Sequence, residues 1–159
     1  MIVRPARAED AAPLVALWNP WIAETAITFS TALKTEAGVA ADIAARGAGF
    51  QVAEEAGELL GFATFFPFRS GPGYARTKEH TVILSPRARG RGAGRALMTA
   101  IEAEARGQGV HSLFAGVSAE NPDGVAFHAA IGFREAARLP QVGYKFGRWM
   151  DLVLMQKFL

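Results

Sequence analysis

A strand that ends on serine–proline and runs into a loop of alternating arginines and glycines sets narrow limits on the fold. The stretch is "TKEHTVILSPRARGRGAGRALM", Thr77 to Met98. β-Branched and aliphatic residues up to Leu84 favour extended backbone, and Pro86 closes the strand Thr77–Ser85. From about Gly92 to Arg106 the period changes: Ala93, Leu97, Ala100 and Ile101 fall on one helical face. Arg87, Arg89, Arg91 and Arg95 occupy the junction, and no acid occurs between His80 and Ile101. Glycine lets a backbone approach a ligand without a Cβ in the way. A helix N-terminus offers unpaired N–H groups and a partial positive charge. Together they suit a polyphosphate.

The positive field is local. Across 159 residues the formal net charge is only +2, which favours a small polyanion over long nucleic acid. Arginine–glycine segments that bind single strands usually stack bases on aromatic rings. Between Tyr74 and Phe114 there is no Phe, Trp or Tyr, so no nucleic-acid partner is expected. Half the residues are hydrophobic and a fifth charged, as in a globular chain, and the length suits one domain, residues 1–159. With no cysteine, disulfides, thiolate metal sites and a cysteine nucleophile are excluded. The three histidines lack metal-ligand spacing, so no metal is expected. Apolar runs such as Leu59–Phe68 fall short of the ~20 residues of a membrane span. "MIVRPARAED" lacks the apolar core of a secretory signal, and a cytoplasmic location without membrane contact is expected.

The remaining elements follow from local chemistry. "IVRPA" (Ile2–Ala6) reads as a strand, and Asp10 as the N-cap of a helix carrying Pro13 in its first turn and interrupted by Pro20. "ETAITFSTALKT" reads as irregular. Thr35 caps a helix that Gly47 closes. Phe50–Glu55 and Glu58–Phe68 form a hairpin about Ala56-Gly57, and "RSGPGYA" is a loop. "HSLFAGVSA" is a strand, and Asn121-Pro122 opens a short helix that stops at Gly132. "FREAARL" and Arg148–Leu159 finish as strands, the latter with Met150, Leu152, Leu154 and Phe158 on one face. This order implies one mixed α/β sheet with helices packed on it.

Spacing tests the glycine loop against known phosphate loops. GxxxxGK[ST] fails, because Gly90 and Gly94 are too close and Arg95-Ala96 follow; GxGxxG fails because position 95 is arginine. Arg89-x-x-Gly92-x-Gly94 after a strand fits instead, and resembles the acetyl-CoA motif Q/R-x-x-G-x-G/A of the GNAT N-acetyltransferases. Further stretches resemble the phosphinothricin and methionine sulfoximine (methionine sulfone) branch. They are "NPDGVAFHAAIGF", the tail "QVGYKFGRWMDLVLMQ", and the early spacing of Asn19, Ile22, Thr25 and Thr28-Phe29.

The resemblance implies a GNAT-type fold: a single mixed, mostly antiparallel sheet of about seven strands flanked by helices. It implies acetyl transfer from acetyl-CoA to the α-amine of a small amino-acid analogue such as phosphinothricin, methionine sulfoximine or methionine sulfone. An α-amine of pKa ~8 must lose a proton before it attacks the thioester. The resemblance gives that task to Glu79, directly or through water, and places His128 where it can protonate the departing thiolate or assist as a second base. It puts the pantetheine arm on the backbone of Val82, Ile83 and Leu84. The phosphates fall to Arg89, Gly90, Arg91, Gly92, Ala93, Gly94 and Arg95, and Asn121 to the arm. Read from the residues alone, Glu79 equally suits an exposed strand carboxylate paired with Lys78 or Arg76, and Asn121 a helix cap. His128 equally suits a packed helix residue. Phe29 and Tyr74 are candidate pocket walls, or core aromatics. Arg76, Lys78 and Lys145 are candidate anchors for the substrate carboxylate, since this chain reads Ala75-Arg76-Thr77-Lys78-Glu79-His80 where members preferring methionine sulfoximine have Arg-His-Thr-Val-Glu-His. A homodimer is implied as well. Two other functions stay open: acetylation of peptide N-termini or another small amine, and a non-catalytic acyl-CoA sensor, which would need neither Glu79 nor His128.

Overall fold

The computed structural model describes residues 1–159. Seven strands form one sheet: β1 (Ile2–Pro5), β2 (Phe50–Glu55), β3 (Glu58–Pro67), β4 (Thr77–Leu84), β5 (Ser112–Ser118), β6 (Arg134–Lys145) and β7 (Arg148–Phe158). Their order is β1-β2-β3-β4-β5-β7-β6. Every neighbouring pair is antiparallel except β4 and β5. That parallel pair needs a crossover, which α3 (Ala93–Gly107) supplies.

Helices cover both faces. On one, Leu14, Trp18 and Ile22 of α1 (Ala11–Glu24) and Val39 and Ile43 of α2 (Glu36–Arg46) pack on Phe50, Val52, Phe62 and Ile83. On the other, Leu97, Met98 and Ile101 of α3 pack on Ala63, Leu113, Ala115, Val153 and Met155, beside α4 (Pro122–Ala130). Leu97 and Ile101 are fully buried, each burial worth ~1.5–3 kcal/mol. The longest helix is too short to cross a membrane.

Local chemistry explains most boundaries. The Thr35 hydroxyl accepts from Gly38 N–H at 3.1 Å and caps α2. Ala56 and Gly57 have φ of 51° and 80°, the left-handed pair a two-residue hairpin requires. Asp10 departs from its expected role. It sits in a short 3₁₀ turn with helical backbone, so its carboxylate turns back instead of capping α1. There it accepts from Arg7 N–H at 2.7 Å and from the two terminal guanidinium nitrogens of Arg4 at 2.8 and 2.9 Å. Pro20 does not interrupt α1 either. The residue whose carbonyl Pro20 fails to pair is Ala16, and both are exposed, so water can serve that carbonyl. β6 runs well beyond "FREAARL", carried through irregular register near Ala137 and Leu139–Gly143 to the turn at Phe146-Gly147. On β7 the core contacts come from Val153 and Met155, while Leu152 and Leu154 on the other face are half-buried and Phe158 is exposed.

Candidate active site

β4 and β5 begin as partners and then separate. Their ladder joins Thr77–His80 to Ser112–Ala115 and stops, although both strands continue. Beyond that point Thr81–Leu84 keep only β3 as a hydrogen-bonded neighbour. The parting opens a cleft of about 410 Å³ lined by Glu79, Thr81, Val82, Ile83, Gly116 and Ser118 among others. The side chains of Val82 and Leu84 pack toward α3 and that of Ile83 toward α1, while their backbone is free along the open edge.

Glu79 stands on the α1 face of β4, half-buried, opposite Phe114 of β5. Phe114 is itself stacked on Phe68 at 4.6 Å. Glu79 has no ion-pair partner, and neither Lys78 nor Arg76 meets it. Burial without a cation pushes its carboxyl above the usual carboxylate range. Its Oε1 lies against Gly116, where an added Cβ would be only 2.8 Å away. A glycine inside a strand often marks such an approach.

On the other face, His80 and His128 meet. Their Nε2 atoms are 3.0 Å apart, and His128 Nδ1 lies 2.7 Å from Gly124 O. A carbonyl only accepts, so His128 carries its proton on Nδ1 and presents a bare Nε2 to His80. His80 must then donate from Nε2, which leaves His80 Nδ1 a bare acceptor. That atom is buried without a hydrogen-bond partner. Burial and the neighbouring ring push His80 down to about 3, and burial also lowers His128, so the pair is neutral near pH 7. Both rings line the cleft, joining its two sides where the strands part. His80 was not singled out by the sequence.

The arginine–glycine loop follows β4. Gly90 and Gly92 have φ of 73° and 77°, a region costly for residues with a Cβ, and no atom lies within 4 Å of where a Cβ would stand. The first helical bond here runs from Ala96 N–H to Gly92 O at 3.0 Å, so the amides of Ala93, Gly94 and Arg95 have no intrahelical acceptor. Gly94 lets α3 approach closely, since a Cβ there would sit 3.2 Å from Leu84 and Phe127. These are the bare amides and left-handed turns a diphosphate needs. Folding alters the charge reading, however. Arg87 pairs with Glu58 at 2.8 Å, Arg89 with Asp123 at 3.3 Å, and Arg91 with Glu55, while Arg95 has no ion-pair partner. Exposed pairs of this kind are worth ~0–1 kcal/mol, so exchanging them for phosphate costs little. Asn121 caps α4, accepting from Gly124 N–H at 3.0 Å, and also lines the cleft.

Of the residues expected at the substrate, Phe29 lines the cleft and Tyr74, Arg76 and Lys78 do not. Tyr74 and Arg76 are exposed on the connection before β4. Lys145 is 4 % exposed and lies behind the cleft wall. Its ammonium donates to Thr25 O at 2.7 Å and Thr28 O at 2.8 Å, pinning the segment that carries Phe29. Burial lowers its pKa. The cleft also contains Trp18, Lys34, Gly116 and Leu152, which sequence reasoning missed. A glycine amid "HSLFAGVSA" was the one available signal. A wider groove of about 1050 Å³ lies between α1 and the β2–β3 hairpin, but its Arg4 is already paired with both Asp10 and Glu54.

Comparison with known proteins decides what this geometry is. Residues 16–133 match the acetyltransferase (GNAT) family. The chain belongs to that family. It is an acetyl-CoA-dependent N-acetyltransferase. It is 37 % identical to the Escherichia coli L-amino acid N-acyltransferase MnaT, over 98 % of this chain and 92 % of that protein. It is 36 % identical to a Salmonella typhimurium L-methionine sulfoximine/L-methionine sulfone acetyltransferase, over 98 % of this chain and 93 % of the relative. Among solved structures, yncA from Salmonella typhimurium with its cofactor acetyl-CoA superimposes with a TM-score of 0.94 at 36 % identity, covering 100 % of this chain and 94 % of that one.

Proposed function

We propose that this acetyltransferase moves acetyl from acetyl-CoA to the α-amino group of a small amino-acid analogue such as methionine sulfone, methionine sulfoximine or phosphinothricin. The single observation that carries this reading is Glu79. It is an unpaired, half-buried carboxylate set in the opening between β4 and β5. Acetyl-CoA supplies the acyl thioester. The amides of Ala93, Gly94 and Arg95 hold its diphosphate across the turn of Gly90 and Gly92, with Arg89, Arg91 and Arg95 around them, and the open edge of Val82, Ile83 and Leu84 takes the pantetheine arm as an added strand. Asn121 offers its side-chain amide to the same arm.

Glu79 takes a proton from the substrate ammonium, and its raised pKa brings it closer to that of the amine. The free amine then forms the C–N bond, and amides on the open edge stabilise charge developing on the carbonyl oxygen. As the C–S bond breaks, the nitrogen's second proton passes to the bare Nε2 of His128 and from there to the departing thiolate; to take it, His128 gives up its hydrogen bond with His80. The volume of the cleft fits a small acceptor. Val142, Tyr144, Phe146 and Trp149 are each more than half exposed on the β6–β7 hairpin, and we assign this apolar patch to a second copy of the chain.

A thiol-release assay with acetyl-CoA tests the reading across methionine sulfone, methionine sulfoximine, phosphinothricin, ordinary amino acids and peptides. Turnover of the amino-acid analogues is expected, and E79Q should lower kcat by about 10²–10⁴-fold with acetyl-CoA affinity retained. Activity on peptides alone would overturn the substrate assignment. Near-normal turnover by E79Q would overturn the base.

A further inference from the structure

The cleft contains one anionic side chain, Glu79, and one side chain that is cationic at neutral pH, Lys34. Lys34 lies on the irregular segment between α1 and α2, yet its backbone is fixed. Asn19 of α1 donates from Nδ2 to Lys34 O at 3.1 Å, and its Oδ1 accepts from Lys34 N–H at 2.8 Å. This pair of hydrogen bonds with one amide side chain fixes where the lysine side chain leaves the backbone. Its ammonium then rests 4.5 Å above the centroid of Trp18, a buried ring that also lines the cleft.

An aromatic face attracts an ammonium but supplies no counter-charge. No carboxylate forms an ion pair with Lys34, although lysines and arginines elsewhere on the molecule find partners. The other cations considered for this task are poorly placed. Arg76 and Lys78 do not line the cleft, and Lys145 is sealed behind it on two backbone carbonyls. An acceptor with an ammonium and a carboxylate on the same carbon presents one group of each sign. The cleft presents the complementary two.

We propose that Lys34 binds the α-carboxylate of the acceptor, so that the cleft selects amino acids over simple amines while Glu79 addresses the amine. Trp18 keeps the lysine stem from collapsing, and the Asn19 clamp keeps its origin constant. This rests on the assignment of the acceptor as an amino-acid analogue. The occupant follows from the charges: a monocarboxylate carrying a vicinal amine, its side chain directed toward Phe29 and Leu152.

The test compares methionine sulfone with the amine that lacks only its carboxylate, 3-(methylsulfonyl)propylamine, in wild type, K34M and K34R. The wild type is expected to prefer methionine sulfone. K34M should raise KM for methionine sulfone, with kcat little changed, and cut the preference for acid over amine, measured as the ratio of kcat/KM values, by about tenfold or more. K34R should retain most of that preference, and KM for acetyl-CoA should not follow the change. An equal loss on both acceptors would make Lys34 a structural residue and overturn the proposal. An unchanged ratio would overturn it too. Wild-type silence on methionine sulfone with activity on the amine would overturn the acceptor assignment itself, and the role of Lys34 with it.

Discussion

Replacing Gly116 with alanine should slow catalysis without replacing any group that reacts. A Cβ at this position would stand 2.8 Å from Glu79 Oε1, where ordinary contact begins near 3.4 Å. Its next neighbour, Leu152 Cδ1, lies at a comfortable 3.6 Å. Gly116 does not have positive φ, so alanine meets no backbone strain. The carboxylate is the far end of a flexible side chain, and it would yield by about 0.6 Å. Misplacing a reacting group by ~1 Å can cost ~10²-fold, so a shift of this size predicts a kcat loss of about tenfold, or ~1.4 kcal/mol of barrier. Stability should change by less than ~1 kcal/mol, because the clash relaxes at the side-chain tip. Steady-state kinetics with the thiol-release assay, beside thermal melts and acetyl-CoA calorimetry, would separate these effects. The same substitution in an E79Q background should add almost nothing, since the displaced group is no longer a base. An unaltered kcat in G116A would refute the reasoning. So would a loss of equal size in the E79Q background.

Two further outcomes follow from the same geometry. G92A would force a Cβ into a turn with φ of 77°, at ~1–2 kcal/mol of strain, and so disturb the turn that presents the free amides of α3. KM for acetyl-CoA should rise severalfold in steady-state kinetics, with kcat at saturation largely kept. The His80–His128 pair predicts acid sensitivity. Both pKa values are lowered in the folded chain, His80 to about 3, whereas an unfolded histidine titrates near ~6.5. Between those values the unfolded chain binds protons that the native one refuses. Stability is therefore full above pH ~6.5 and falls as pH drops, by up to ~1.4 kcal/mol per pH unit for each histidine. Urea melts at pH 7.5, 6.0 and 5.0 would show it, and H80N should flatten the dependence. A wild-type midpoint constant over that range would contradict a neutral buried pair.

What the sequence made legible was chiefly local. The strand Thr77–Leu84, the left-handed glycines and the period of α3 are all written within one short stretch, and they form the proposed phosphate end of the site. The Thr35 cap and the Ala56-Gly57 turn are equally local. Asp10 was misread because a cap residue needs extended backbone, and the 3₁₀ turn before α1 denied it that conformation. Pro20 was misread because an exposed helix face can leave one carbonyl to solvent. The substrate end was harder. Lys34, Glu79 and Gly116 are brought together only when α1 packs on the sheet and β5 runs parallel to β4, and no spacing along the chain encodes that meeting. The same applies to charge. "RARGRGAGR" contains no acid, yet Glu55, Glu58 and Asp123 reach its arginines from three other elements, β2, β3 and α4.

The most direct test of the account is a crystal structure with coenzyme A bound. The diphosphate should rest on the amides of Ala93, Gly94 and Arg95, with the pantetheine arm entering between Val82–Leu84 and Gly116–Ser118 so that its sulfur ends near Glu79 and His128. A ligand seated in the groove between α1 and the β2–β3 hairpin, or one whose sulfur points away from Glu79, would contradict it.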